Sequence, residues 1–316
     1  MPAALAFQAE VHAGAQDFPF AAAAGMRLFH ADNVAKMISL RSQVKVSFHE
    51  VNFMKVAVLQ MNVAFGQPDK NIASFYRLAE QAMEARPDVL LLPELWQTGF
   101  YPQPILSYAD ADGQQTRAAL SALARRYQVN IVGGTAANAI GPQVFNTCYV
   151  FDRSGHLTAT YHKTHLFTPS GEKDDFHAGD SAVTFLLDGM SCGLAVCYDI
   201  RFPELVRRLA LEGIAVLFVP AAWPLPRLIH WQTLLRARAI ENQIFVAACN
   251  ESGTGANNLQ LAGHSVLIDP WGEILAEAGE DETILHGSLR PVVRHQIKKE
   301  MDVLADRREK LYERKK

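Results

Sequence analysis

From Met54 onward the chain alternates strand-like apolar runs with helix-like runs, and that alternation restricts it to α/β architectures. "MKVAVLQMNVAFGQPDKN" reads as a strand entering a turn. "QPDKNIASFYRLAEQAMEA" follows as a helix, with Pro68 near its start, where a missing N–H costs little, and Ile72, Phe75, Leu78, Ala79, Ala82 and Met83 on one stripe. "DVLLLPEL" is continuously apolar, as in a strand buried on both faces or facing a second sheet. Helix "QQTRAALSALARRY" and strand "VNIVGGTAA" come next, and strands "VFNTCYVFD" and "LTATYHKTHL" flank an "RSG" turn. The rhythm then repeats. "AVTFLLDGMSCGLAVCYD" is two strands joined at Asp188-Gly189, a strong hairpin signal. Helix "PELVRRLALEG", strand "IAVLFVPAA", helix "LIHWQTLLRARAIEN", strand "IFVAACNES" and the hairpin-like "AGHSVLIDPWGEILAEAG" complete it. This order predicts a mixed sheet and two similar halves. The charged tail "VVRHQIKKEMDVLADRREKLYERKK" reads as a surface or partner-contacting arm.

Residues 1–53 break this pattern. They are alanine-rich, lack a sustained period, and carry Glu10 and Asp17, against a secretory or organelle leader. The expectation is a poorly ordered extension, with Met54 as a natural first residue of the domain at 54–316. An ordered arm against a partner subunit is the alternative. The 316 residues are 49% hydrophobic with a net charge of −3, which gives no bulk-charge signature of a nucleic-acid or membrane-surface partner. No apolar run reaches the roughly 18 residues of a membrane span. Cys148, Cys192, Cys197 and Cys249 show no metal-site or disulfide-framework spacing, so no metal is expected and the setting reads as reducing and cytoplasmic.

Three polar residues stand where strands leave the core. Glu94 follows Pro93 in "LLPELWQTGF", Lys163 lies in "YHKTHLF", and Cys197 ends the strand of "GLAVCYDIRFPEL". Singly they read as a surface glutamate, a solvated edge lysine and a core cysteine. Together they form a nucleophile, a cation that lowers the thiol pKa and holds an oxyanion, and a carboxylate that moves protons. The helix opening at Pro203 is a second candidate for lowering the thiol pKa. His162, His165, His230 and His264 keep a Cys–His hydrolase open.

The three motifs, in this order, resemble the Glu–Lys–Cys set of the nitrilase superfamily, the carbon–nitrogen hydrolases. The resemblance runs from about Met54 to the C-terminus and implies a four-layer αββα sandwich with mixed sheets, assembled as a homodimer. It assigns a second active-site glutamate to Glu172 in "GEKDDFHAGD" and the oxyanion-binding backbone N–H to Tyr198. "WPLPRLIHWQTLLRARAIENQIFVAACN" and "GHSVLIDPWGEILAEAG" resemble the omega-amidase branch, above all its bacterial methionine-salvage-linked members. That implies hydrolysis of the terminal amide of a small 2-oxo acid through a Cys197 thioester, without cofactor. N-carbamoyl-amine or nitrile hydrolysis is the enzymatic alternative, and a scaffold that keeps the fold is the non-enzymatic one. Arg201 is the first candidate for the substrate carboxylate and Arg227 the second, because a guanidinium suits that group. Trp223 is a candidate pocket wall. Asp199 and Arg201 also read as structural partners in a turn, and Glu204 suits a helix N-terminus.

Overall fold

The computed structural model describes residues 53–312, and the expected extension at 1–53 lies almost wholly outside them. β1 (Met54–Gln60), α1 (Pro68–Ala82), β2 (Val89–Leu91), β3 (Asp110–Ala111), α2 (Gln114–Tyr127), β4 (Asn130–Val132), β5 (Ala136–Ile140), β6 (Gln143–Phe151) and β7 (Leu157–His162) form the first half. The second half contains α3 (Glu172–Asp175), β8 (Thr184–Leu187), β9 (Met190–Leu194), α4 (Pro203–Leu211), β10 (Val216–Ala221), α5 (Leu228–Asn242), β11 (Phe245–Asn250), β12 (Val266–Ile268) and β13 (Ile274–Glu277). β14 (Thr283–Leu289) and α6 (Pro291–Glu300) close it.

Two mixed sheets result. The first runs β14-β1-β2-β4-β6-β5-β3, with β7 also paired to β6, and the second runs β13-β12-β11-β10-β9-β8. Each has three parallel strands at its centre, β1-β2-β4 in one and β9-β10-β11 in the other. Antiparallel strands flank both trios. The expected two similar halves therefore exist as topology.

Strand parity builds the layers. Side chains alternate across a sheet, so Val56 and Val58 of β1, Val89 and Leu91 of β2 and Val132 of β4 join the core shared with the second sheet. Their neighbours Ala57, Leu59, Leu90 and Ile131 face the other way, into a core with Phe75 and Leu78 of α1 and Leu120 and Leu123 of α2. Leu205, Val206 and Leu209 of α4 and Trp231, Leu235 and Ala239 of α5 pack on the second sheet. The order is helix, sheet, sheet, helix, and it explains why "DVLLLPEL" has no polar face.

Two elements depart from the sequence reading. "VNIVGGTAA" is not one strand: β4 stops at Val132 and β5 starts at Ala136. Gly134 has φ +61°, and a Cβ there would lie 2.1 Å from the Pro93 carbonyl oxygen. The glycine pair breaks the strand to let the segment carrying Glu94 approach. β14 was not expected, because "TILHGSL" has few apolar residues. It pairs antiparallel with β1 along its whole length, from Met54 opposite Leu289 to Gln60 opposite Thr283, and backbone pairing rather than burial defines it. In the tail, α6 lies on the surface with Ile297 as its buried side chain, and Arg294 donates to the Gln243 carbonyl at 2.9 Å.

Candidate active site

Glu94 follows β2 at the sheet's carboxyl end, in a turn fixed from behind. The Leu95 N–H donates to Thr135 Oγ1 at 2.8 Å, the Trp96 indole N–H to the Gly133 carbonyl at 2.9 Å, and the Thr135 N–H to the Pro93 carbonyl at 3.1 Å. Lys163 lies one residue beyond β7, where its N–H continues the ladder to the Asn146 carbonyl at 2.9 Å. Glu172 opens α3 and accepts from the Phe167 N–H at 2.6 Å.

These side chains converge. Lys163 Nζ donates to Glu94 Oε1 at 2.8 Å and to Glu172 Oε1 and Oε2 at 3.0 and 2.9 Å. The Asn146 amide donates to Glu94 Oε1 at 2.9 Å and Glu172 Oε1 at 3.1 Å, and the Ala222 N–H donates to Glu94 Oε2 at 3.1 Å. Glu94, Lys163, Glu172 and Asn146 are all 0% exposed. Burial opposes the ammonium of Lys163, but Glu172 and Glu94 outweigh it and hold Lys163 well above the ordinary lysine value. Burial raises the Glu94 carboxyl above its ordinary value, and Lys163 opposes that rise.

Cys197 stands beyond β9 at the start of a 3₁₀ turn, Cys197–Arg201, and carries φ +47°, a left-handed conformation uncommon for any residue but glycine. Asp199 holds the turn. It accepts from the Val196 N–H at 2.8 Å, the Tyr161 hydroxyl at 2.7 Å, the Thr164 hydroxyl at 3.0 Å and the His165 N–H at 2.9 Å. Arg238 of α5 ties the same turn through the Ile200 carbonyl at 2.9 Å. Glu94, Lys163 and the Ala222 N–H are the groups that act on the thiol. Burial, then the Glu94 charge, push its pKa well above the ordinary cysteine value, while Lys163 pulls it down. This corrects the expectation of a thiol lowered by its neighbours: the group rests protonated, and the helix opening at Pro203 is separated from it by the 3₁₀ turn. A thiol that stays protonated can attack only with a base beside it, and Glu94 is the carboxyl that acts on it.

The rival bases are engaged elsewhere. His162 pairs with Thr147 Oγ1 at 2.8 Å, His165 Nδ1 lies 2.8 Å from Asp199 and its ring stacks on Phe202, and His264 meets Glu277 at 3.1 Å. His230 Nδ1 lies 3.2 Å from Arg201.

Cys197 opens into a cavity of about 1120 Å³ whose wall includes Tyr198, Arg201, Trp223 and Arg227. The Arg201 guanidinium sits 4.7 Å over the Trp223 ring and 5.9 Å over Tyr198, and Arg227 lies 5.3 Å over Phe167. Trp223 is fixed by its indole N–H on the Arg227 carbonyl at 2.8 Å. Of the two turn residues, Asp199 is the structural partner, whereas Arg201 faces the cavity. The Tyr198 ring packs edge-on against Phe167 and Phe202. Asn257 and Asn258, both with left-handed backbones, also line the cavity.

Sequence reading passed over Asn146, Arg238 and Glu251. Asn146 in "VFNTC" did carry a signal, as a lone amide inside an otherwise apolar strand. Among the described residues no helix is long and apolar enough to cross a membrane, and no group of three or more His, Cys, Asp or Glu is placed to hold a metal ion.

The family model for carbon-nitrogen hydrolases matches residues 55–298. The chain is 41% identical to the 2-oxoglutaramate amidase of Bacillus subtilis, over 81% of this chain and 98% of that one. It is 30% identical to the omega-amidase NIT2 of Mus musculus, over 82% and 96%. It superimposes with a TM-score of 0.73 on a glutamate-to-glutamine mutant of a Nesterenkonia amidase that bears the acetamide moiety of fluoroacetamide on its active-site cysteine, at 31% identity over 82% and 95%. The expected four-layer fold is that of this superfamily. The chain belongs to the carbon–nitrogen hydrolases of the nitrilase superfamily and is a hydrolase of carbon–nitrogen bonds.

Proposed function

We propose that the protein hydrolyses the terminal amide of small 2-oxo acid monoamides, 2-oxoglutaramate foremost, through a thioester on Cys197. The observation that carries this reading is the dry Glu94–Lys163–Glu172 cluster behind a protonated Cys197, opening toward a wall that holds Arg201 on Trp223. The names of the relatives support the substrate class.

Glu94 takes the thiol proton as Cys197 Sγ bonds to the amide carbon. Lys163 and the Tyr198 N–H hold the oxygen as it gains charge. Glu94 then passes the proton to the amide nitrogen, the C–N bond breaks, and ammonia leaves. Water gives a proton to Glu94 and attacks the thioester carbon, and the C–S bond breaks. The thiolate recovers the proton as the carboxylic acid is released. Glu172 holds Lys163 in place and supplies a second carboxylate beside the leaving group. Arg201, with Arg227 behind it, binds the far carboxylate, which would be costly to bury unpaired.

The working unit is a homodimer of the 54–316 domain in the cytoplasm, a reading supported by the family resemblance and by four cysteines that are all free. Ammonia release by purified protein tests the substrate class. The expected order is 2-oxoglutaramate far above N-carbamoyl amino acids and nitriles. Preference for either of the latter overturns it.

A further inference from the structure

Three carboxyl groups lie in the buried centre, and two are well supplied with donors. Glu94 receives Lys163, Asn146 and the Ala222 N–H, and Glu172 receives Lys163, Asn146 and the Phe167 N–H. The third, Glu251, receives none. It follows β11, and its backbone N–H donates at 3.1 Å to the Ala221 carbonyl. The Glu94 N–H reaches that same carbonyl at 3.4 Å, so one strand end ties both residues. The Glu251 residue is 1% exposed, and both carboxyl oxygens are buried without a hydrogen-bond partner.

The titratable groups acting around it are Glu94, from the end of β2, and the Cys249 thiol, two residues earlier on its own strand. No cation faces it among these. A buried carboxylate with neither donor nor counter-charge is strongly disfavoured, and such a group keeps its proton instead. The cluster already sets two carboxylates against one ammonium, and a third negative charge would have nothing to offset it.

We propose that Glu251 stays protonated throughout turnover, and that its proton keeps the neighbouring Glu94 carboxylate free to accept the thiol proton. This rests on the reading of Glu94 as the base. Glu251 acts through Glu94 and need not touch the substrate. A charge on Glu251 would raise the proton affinity of Glu94 and fill the base before the thiol could use it.

Glu251→Gln replaces the neutral acid by a neutral amide of the same shape. The acid limb of its kcat/KM profile is expected to superimpose on that of the wild type. A limb moved down by about one pH unit or more would mean that a negative charge had been removed beside Glu94, and would overturn the proposal. Linkage supplies a second readout. A carboxyl that keeps its proton only when folded loses stability for the native state as pH rises above the ordinary carboxylate value. The fall in Tm with rising pH is therefore expected to be shallower in Glu251→Gln, and an unchanged slope counts against the proposal.

A third readout does not need this variant to fold. The infrared carbonyl stretch of a protonated carboxyl is expected in wild-type protein at pH 8, and in Glu94→Gln and Glu172→Gln alike. Its absence in any of them overturns the assignment. The band does not depend on turnover, so an active Glu94→Gln enzyme would refute Glu94 as base while leaving the protonation of Glu251 separately decided.

Discussion

The floor of the active site and its wall are built by different physics. On the floor, Glu94, Lys163, Glu172 and Asn146 are fully buried and joined by bonds of 2.8–3.1 Å. On the wall, Arg201 and Arg227 lie on aromatic faces 4.7 and 5.3 Å away, with side chains left open to the cavity. A dry hydrogen-bonded cluster fixes charge and geometry, because each lost partner leaves a buried polar group unsatisfied. A guanidinium on a ring keeps its donors free and can shift to meet a ligand. In the proposed mechanism the floor carries the reaction and the wall the choice of substrate. Damage to the floor should lower kcat for every amide, and damage to the wall should raise KM for charged amides alone.

Cys197→Ala should give the largest effect, a loss of about 10⁴-fold or more in turnover with the fold retained, read by ammonia release and circular dichroism. Iodoacetamide should label Cys197 ahead of the three core cysteines. Glu94→Gln removes the proton carrier and should cost about 10²–10⁴-fold. Because the Glu94 carboxyl is raised, the wild-type acid limb should lie above the ordinary carboxylate range, with activity falling as pH drops through it. Retained activity in this variant, with loss in His162 or His165 variants, would move the base to a histidine.

Lys163→Gln keeps a donor and loses the cation, and a fall of about 10²–10³-fold in kcat is expected for charged and neutral amides alike. On the wall, Arg201→Met should raise KM for 2-oxoglutaramate about 10–10²-fold, the worth of a charge-assisted contact, with kcat nearly unchanged. A neutral short amide should be little affected. Equal losses on both would make Arg201 part of the floor, and no loss on either would pass the carboxylate to Arg227. The smallest effect should come from His230→Gln, whose partner contact to Arg201 is 3.2 Å long and exposed. A change in KM of about threefold or less is expected, and a larger one would make the wall more rigid than stacking alone allows.

Much of this division could be read from residue order. Pro68 and the Asp188-Gly189 pair mark a helix start and a hairpin because proline fixes φ and the turn requires φ above zero, and Asp188 and Gly189 have φ +48° and +80°. The Leu228–Asn242 helix has the limits the sequence assigned. Glu94, Lys163 and Cys197 were legible because each is a polar residue where an apolar strand ends. Asn146 and Glu251 were not, because a lone polar residue in a buried strand looks the same whether it is satisfied, catalytic or orphaned. The direction of the thiol pKa was misjudged for a related reason: proximity to Lys163 could be inferred, but complete burial could not. β14 escaped notice because its register comes from β1 and not from its own side chains.

The thioester itself is the most direct test of the floor as the seat of chemistry. Wild-type enzyme mixed with 2-oxoglutaramate, quenched in acid within the first turnovers and digested, should yield the Cys197 peptide heavier by the acyl group left after loss of ammonia. The adduct should be absent from Cys197→Ala and should disappear as substrate is exhausted. An acyl group on another residue, or turnover with no adduct at Cys197, would contradict it.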